Sequence, residues 1–249
     1  RVSEVGVAKA RLPVLTSALL GVLAGAFIGL GALMYTLVLS DASLGFAAQR
    51  LLGGLVFSLG LVLVTVAGAE LFTGNNLLAM AWASRRISSR ALLRNWVLSY
   101  LGNVLGCLGT VALVLLADSA AMGNGAVGET ALAIARGKGE LSLLETFSRG
   151  ILCNALVCMA VWLAMGGHSV TDKILAVIFP VMAFVALGFE HSIANWFFLP
   201  FAMLLDAQSS ISPGAAAGNL LAATAGNIVG GTLLVAGVYW LAYLRNGHG

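Results

Sequence analysis

Ile174 to Leu205 is an apolar run of 32 residues whose only ionisable side chains are Glu190 and His191. As one continuous helix it would measure about 48 Å, against a hydrocarbon core of roughly 30 Å. An ionisable group at bilayer depth costs roughly 2.5–3.5 kcal/mol even on lenient insertion scales, and is kept mostly for function. A helix broken near the midplane, with its polar residues at the break, reconciles the length with the charges. Discontinuous helices of this kind are how membrane proteins build solute sites. The break is predicted at Gly188-Phe189-Glu190-His191-Ser192-Ile193-Ala194-Asn195-Trp196.

A second run carries the same anomaly. Leu51 to Ser84 holds 34 residues and one ionisable group, Glu70, with Thr73, Asn75 and Asn76 close behind it. Further spans fit Pro13–Leu39, Asn95–Ala117, Gly150–Gly167 and Gly214–Leu244, with Asp41–Arg50 as a loop and Arg1–Arg11 as a basic-amphipathic lead-in. The expectation is an all-α polytopic membrane protein of one domain, residues 1–249, with six spans of which the second and fifth are broken. Composition excludes a soluble domain: 9% of residues are charged and 60% hydrophobic, where about a quarter charged is usual. A β-barrel would show alternating segments of about ten residues instead of continuous runs. The net charge of +3 sits in loops flanking spans, so no nucleic-acid partner is expected. Cys107, Cys153 and Cys158 fall inside apolar spans without metal-ligand spacing and read as small packed residues. No metal, cofactor or enzymatic activity is expected. Gly21, Gly25, Gly29 and Gly31 give the first span a small-residue face for close helix contact. Arg1 in place of Met suggests that an N-terminal piece precedes this chain, and the first apolar segment is too long for a cleavable signal.

Loop charge sets the orientation. With both termini, the Arg85–Arg94 loop and the His168–Lys173 loop on one side, that side holds nine Lys/Arg against four opposite. Both termini are therefore expected in the cytoplasm, and the protein in the inner membrane. The chain also repeats itself. Gly68, Glu70 and Asn75 match Gly188, Glu190 and Asn195, 120 residues on, and Gly102-Asn103 matches Gly226-Asn227, 124 on. Three spans per copy, about 13–118 and 142–244, turn the second copy upside down, so that two broken helices meet near the midplane.

The half-helices predicted to start near Thr73 and Ile193 offer unpaired N–H groups and a positive dipole end, suited to an anion or an acceptor-rich solute. Thr73 is a candidate cap. His191, the one histidine inside a span, can donate a hydrogen bond while neutral or pass a proton; the bland reading is a core histidine bridging two helices. Glu70 and Glu190 would repel an anion as free carboxylates. They read as structural acids that accept from N–H groups freed at the breaks, or that sit protonated.

Glu70-Leu71-Phe72-Thr73 with Gly188-Phe189-Glu190-His191-Ser192-Ile193-Ala194-Asn195 resembles the signature pair of the formate–nitrite transporter family. The similarity runs through Asn95-Trp96, Gly102-Asn103, Asn154, Val161-Trp162 and Asp172-Lys173, covers Pro13 to Leu244, and is closest to the formate channel branch. The resemblance implies an aquaporin-like protomer, five in a ring, each with its own pore and two hydrophobic constrictions around a central histidine. By the same resemblance Phe57 and Leu61 match one constriction, Phe184 and Val157 the other, and Leu71 and Phe72 lie on the loop that interrupts the second span. Thr73 matches the partner of the histidine, Asn154 and Asn195 match polar pore residues, and Lys138 matches a lysine that draws anions in. The function so implied is passage of formate, with nitrite second, through a site where His191 or its water neutralises the anion. Hydrosulfide passage and a proton-coupled transporter of a small monocarboxylate are the alternatives. Paired Asn-Pro-Ala motifs, a twin-histidine site and an enzymatic nucleophile do not occur, which argues against water, ammonium and catalytic readings.

Overall fold

The computed structural model describes residues 2–208 and 210–244, and every regular element in it is helical. Arg1 and residues 245–249, which carry part of the orientation argument, lie outside the described residues. The chain begins with α1 (Val2–Ala10), then α2 (Val14–Leu39) and α3 (Phe46–Ala67). α3 ends at Gly68, whose φ of +77° only glycine takes without strain. After an irregular stretch through Leu71 come α4 (Phe72–Asn75), a 3-10 turn over Asn76–Leu78 and α5 (Ala79–Ala83). α6 (Ser89–Leu116) and α7 (Ala126–Gly139) lead to α8 (Leu143–Gly166) and α9 (Val170–Ala186). Gly188, φ +73°, makes the second left-handed turn, followed by α10 (Ser192–Leu205) and α11 (Pro213–Val229). From Gly230 the last rod continues with π-helical bonding to Leu244.

Five of these are long and apolar enough to cross a membrane: α2, α3, α6, α8 and the rod 213–244. The expected fifth span is carried by α9 and α10 together, 17 and 14 residues, neither sufficient alone. Several ends lie outside the apolar runs. α3 starts at Phe46 inside the expected loop, α6 at Ser89 before Asn95, and α8 at Leu143 before Gly150. Two of the three starts are capped by side chains: Ser88 accepts from the Ala91 amide, and Ser142 with Glu145 forms a reciprocal capping box, whereas α3 begins after Gly45 without a side-chain cap. Hydropathy marks the apolar stretch, whereas capping marks where the helix begins.

The glycine face of α2 is used against three neighbours, α6, α10 and α3. A Cβ on Gly21 would lie 3.2 Å from Gly102 of α6, and one on Gly25 would collide with the Asn103 carbonyl. Gly29 faces Thr110 and Phe197, and Gly31 faces the Phe57 carbonyl of α3. α8 and α11 touch in the same manner through Gly150, Gly226 and Gly230. Backbones this close bring side chains from one helix within reach of the break in another, and that proximity assembles the site.

Candidate functional site

Asn103 and Asn227 tie the two breaks with the same three bonds. Asn103 Oδ1 accepts from the Phe72 amide (2.9 Å), and its Nδ2 donates to the carbonyls of Gly21 (2.8 Å) and Glu70 (2.9 Å). Asn227 Oδ1 accepts from the Ser192 amide (2.9 Å), and its Nδ2 donates to Gly150 and Glu190 (2.9 Å each). The first amides of α4 and α10, expected to be open to solute, are thus already satisfied. At α10 a further amide, that of Ala194, donates to His191 Nδ1 at 3.0 Å. The cap of α10 is therefore the histidine ring. Thr73 caps nothing: it sits inside α4, whose N-cap is Leu71.

His191 Nε2 lies 3.1 Å from Thr73 Oγ1, and both residues are buried. Because Nδ1 accepts a backbone N–H, the ring proton belongs on Nε2, which points it at the threonine hydroxyl. Phe184 stacks on the imidazole, centroids 5.9 Å apart and planes at 18°. A bond between the two breaks and a ring fixed at both nitrogens hold a donor or acceptor in one place.

Glu70 and Glu190 are not held by freed backbone amides, as expected from the sequence. Each has a lysine and asparagine side chains. Glu70 Oε1 pairs with Lys9 Nζ at 2.8 Å, and its Oε2 accepts from Asn75 (2.7 Å) and Asn95 (3.5 Å). Glu190 Oε1 pairs with Lys138 Nζ at 2.8 Å, and its Oε2 accepts from Asn195 (2.6 Å) and Asn219 (3.1 Å). A buried carboxylate is tolerable when paired and hydrogen-bonded in this way. Lys138, expected to draw anions, spends its charge on Glu190 and leans over the Phe198 ring at 5.4 Å.

Two cavities flank the breaks. One, of about 290 Å³, is lined by Phe57, Phe184, His191, Asn195 and Lys138 together with Arg50 and Arg149. The other, of about 260 Å³, runs under α1 and includes Lys9, Leu71, Gly74 and Asn75. Phe57 and Phe184 meet edge to face at 5.9 Å and share the first cavity. The resemblance places these two at different constrictions, Phe57 with Leu61 and Phe184 with Val157. Leu61 and Val157 are buried in the same core and line neither cavity. Phe72 turns away, packing on Tyr100 (5.0 Å) and Trp96 (6.3 Å). Asn154 is a brace, its Nδ2 donating to Asn76 Oδ1 (2.7 Å) and to the carbonyls of Asn227 (2.7 Å) and Thr73 (3.2 Å). The sequence assigns no site role to Lys9, Asn95 or Asn219, and none to Arg50 and Arg149 beyond loop charge. The repeat held a signal for the two asparagines, which stand 124 apart like Asn103 and Asn227, but none for Lys9, which is 129 from Lys138. Among the described residues no cluster of His, Cys, Asp and Glu could hold a metal ion.

The profile of the formate/nitrite transporter family matches residues 1–241. The chain is 39% identical to the formate channel FocA of Escherichia coli strain K12 over 98% of its own length and 93% of that protein's. It is 38% identical to a probable formate transporter of Methanothermobacter thermautotrophicus, over 98% and 94% of the two lengths. A solved pentameric formate channel with formate bound superposes with a TM-score of 0.86 at 38% identity, over 93% of this chain and 98% of that one. With its apolar helices and these relatives, the protein is a membrane protein, and it belongs to the formate/nitrite transporter family.

Proposed function

We propose that the chain is a channel for formate, and secondarily nitrite, in which His191 and Thr73 handle the anion between apolar barriers. The observation that carries this is the 3.1 Å contact between Thr73 Oγ1 and His191 Nε2, where two helix breaks meet. The matching asparagine ties at Asn103 and Asn227 support an inverted repeat of three spans and three, about 13–118 and 142–244, in one transmembrane domain. Similarity to a pentameric formate channel supports five protomers in a ring. The arginine-rich loop supports cytoplasmic termini and residence in the inner membrane.

A bare anion pays many kcal/mol to enter an apolar passage, whereas a neutral weak acid pays far less. Formate enters the cavity beside His191, takes one proton, and crosses past Phe57, Phe184, Leu61 and Leu71 as formic acid. The proton arrives from bulk solution as hydronium, which becomes water on giving it to formate, rather than from the imidazole. The neutral ring keeps its Nε2 proton, and an imidazolium would have to give up the bond from the Ala194 amide to Nδ1. That same bond favours a second reading, conduction of the anion with His191 as hydrogen-bond donor only. Formate flux into proteoliposomes is expected to rise as pH falls, and to drop and lose that slope in His191→Asn, whose side chain can still cap α10, and in His191→Phe. Flux like the parent's in both variants at every pH would sink the role of the histidine. Equal passage of a strong-acid anion such as nitrate would replace neutralisation with anion conduction.

A further inference from the structure

We propose that Arg50 and Arg149 form a small-oxyanion site at the mouth of the His191 cavity, which holds the anion before it reaches the imidazole; this rests on the channel reading above. Both side chains line that cavity and converge on Gly188. A Cβ placed on Gly188 would lie 3.0 Å from Arg50 Nη2 and 3.9 Å from Arg149 Nη1, so the two nitrogens stand within about 7 Å of each other. One planar carboxylate or nitrite, taking charge-assisted bonds of about 2.8 Å from each side, fills that gap.

Neither charge is closed off in a salt bridge, although Glu145, one turn before Arg149 on α8, feels the Arg149 charge. Arg50 donates through Nε to the Ala186 carbonyl (2.9 Å), through Nη2 to Val185 (3.0 Å) and through Nη1 to the Tyr35 hydroxyl (2.6 Å). Arg149 Nη1 reaches the Gly188 carbonyl at 3.5 Å. These partners are neutral, and among the described residues neither arginine forms an ion pair; the buried acids are taken by Lys9 and Lys138. A guanidinium carries five N–H donors, so both forks keep some free while fixed in place.

A role as mere stitching for carbonyls freed at the break fails on a comparison within the chain. The Glu190 amide donates to the Arg149 carbonyl at 3.3 Å, as the Glu70 amide does to the Leu20 carbonyl at 3.2 Å. Leu20 thus occupies the place of Arg149 in the other copy, and Val170, 120 residues from Arg50, occupies the place of Arg50. The same break is built elsewhere without a guanidinium fork, the cation that lines its cavity from α9 being Lys173, so the two forks answer to something on their own side of the protein.

The test is formate flux through the purified protein, uniformly oriented in proteoliposomes, with formate supplied from one face at a time. Arg149→Leu is expected to raise the half-saturating formate concentration about tenfold from the α7 side only, with the saturating flux kept. Arg149→Lys recovers most of that loss. Arg50→Lys, which keeps the charge and loses the fork, gives a smaller rise. Arg136→Gln, an exposed charge on the same face bonded to Ser210, leaves the half-saturation alone. An Arg149→Leu protein with unchanged half-saturation, or with saturating flux lowered equally from both sides, overturns the site. Protection of Arg149 from phenylglyoxal by formate, read by peptide mass spectrometry, separates the two layers of the argument. Protection without flux keeps the oxyanion site and ends the channel reading, and flux without protection does the reverse.

Discussion

His191 uses both ring nitrogens, one to cap α10 and one to reach Thr73, so its position depends on the backbone around it. Asn227 governs that backbone, because it binds the amide of Ser192 and the carbonyl of Glu190 on either side of the ring. Asn227→Ala strands one buried donor and two buried acceptors, each worth about 1–3 kcal/mol when left unmade. The variant is expected to unfold at clearly lower temperature in detergent and to lose most formate flux. Asn227→Asp, which keeps the acceptor for Ser192 and has no donors, should fall between. A parent-like melting point in both would remove the tie from the account. Glu70, Glu190, His191 and Thr73 stood out in the sequence because polar groups inside apolar runs are expensive. The ion pairs they make did not, since Lys9 and Lys138 reach the two glutamates from α1 and α7, elements whose placement nothing local announces.

At the scale of elements, the close pairs α2 with α6 and α8 with α11 depend on absent side chains. Gly25→Ala drives a methyl into the Asn103 carbonyl and Gly226→Ala drives one into that of Phe147, with backbone on the far side in both cases. Overpacking of this kind costs about 1–3 kcal/mol, and both should lower the melting temperature. Gly109 on α6 has nothing within 4 Å of its would-be Cβ, so Gly109→Ala should raise stability by about 0.5–1 kcal/mol through helix propensity. Equal shifts in all three would show that helix spacing is not set by glycine. The turn after α10 has its own handle. Burial works to raise the Asp206 carboxyl, but bonds from the Ile211 amide and the Ser210 hydroxyl hold it below the usual carboxylate range. A depressed carboxylate stabilises the fold above its ordinary value near pH 4 and loses that contribution as pH falls through the lower folded value. Hydrogen exchange at Ile211 should quicken below about pH 4 and should already be fast in Asp206→Asn at neutral pH. The existence of the long helices was legible from the apolar runs. The ends were not, because caps at Ser88 and Ser142 extend helices into polar sequence.

For the whole molecule, the proposed site can be drawn within one chain. Thr73 from α4, His191 at the head of α10, the Asn103 and Asn227 ties and the lining of both cavities belong to it. The ring proposed above would then carry parallel, independent paths. Independence has a quantitative signature. When parent and His191→Asn chains are co-expressed in known ratios and purified as mixed oligomers, formate flux should fall in direct proportion to the variant fraction. At equal amounts roughly half the flux survives if paths are independent, against about 3% if one defective chain silences a ring of five. Thiol labelling can report the ratio in each preparation from a cysteine placed at Ser119 in the variant, because Cys107, Cys153 and Cys158 are buried and contribute little background. A steep, concave loss would mean that protomers share a gate, and the functional unit would have to be sought between chains instead of within one.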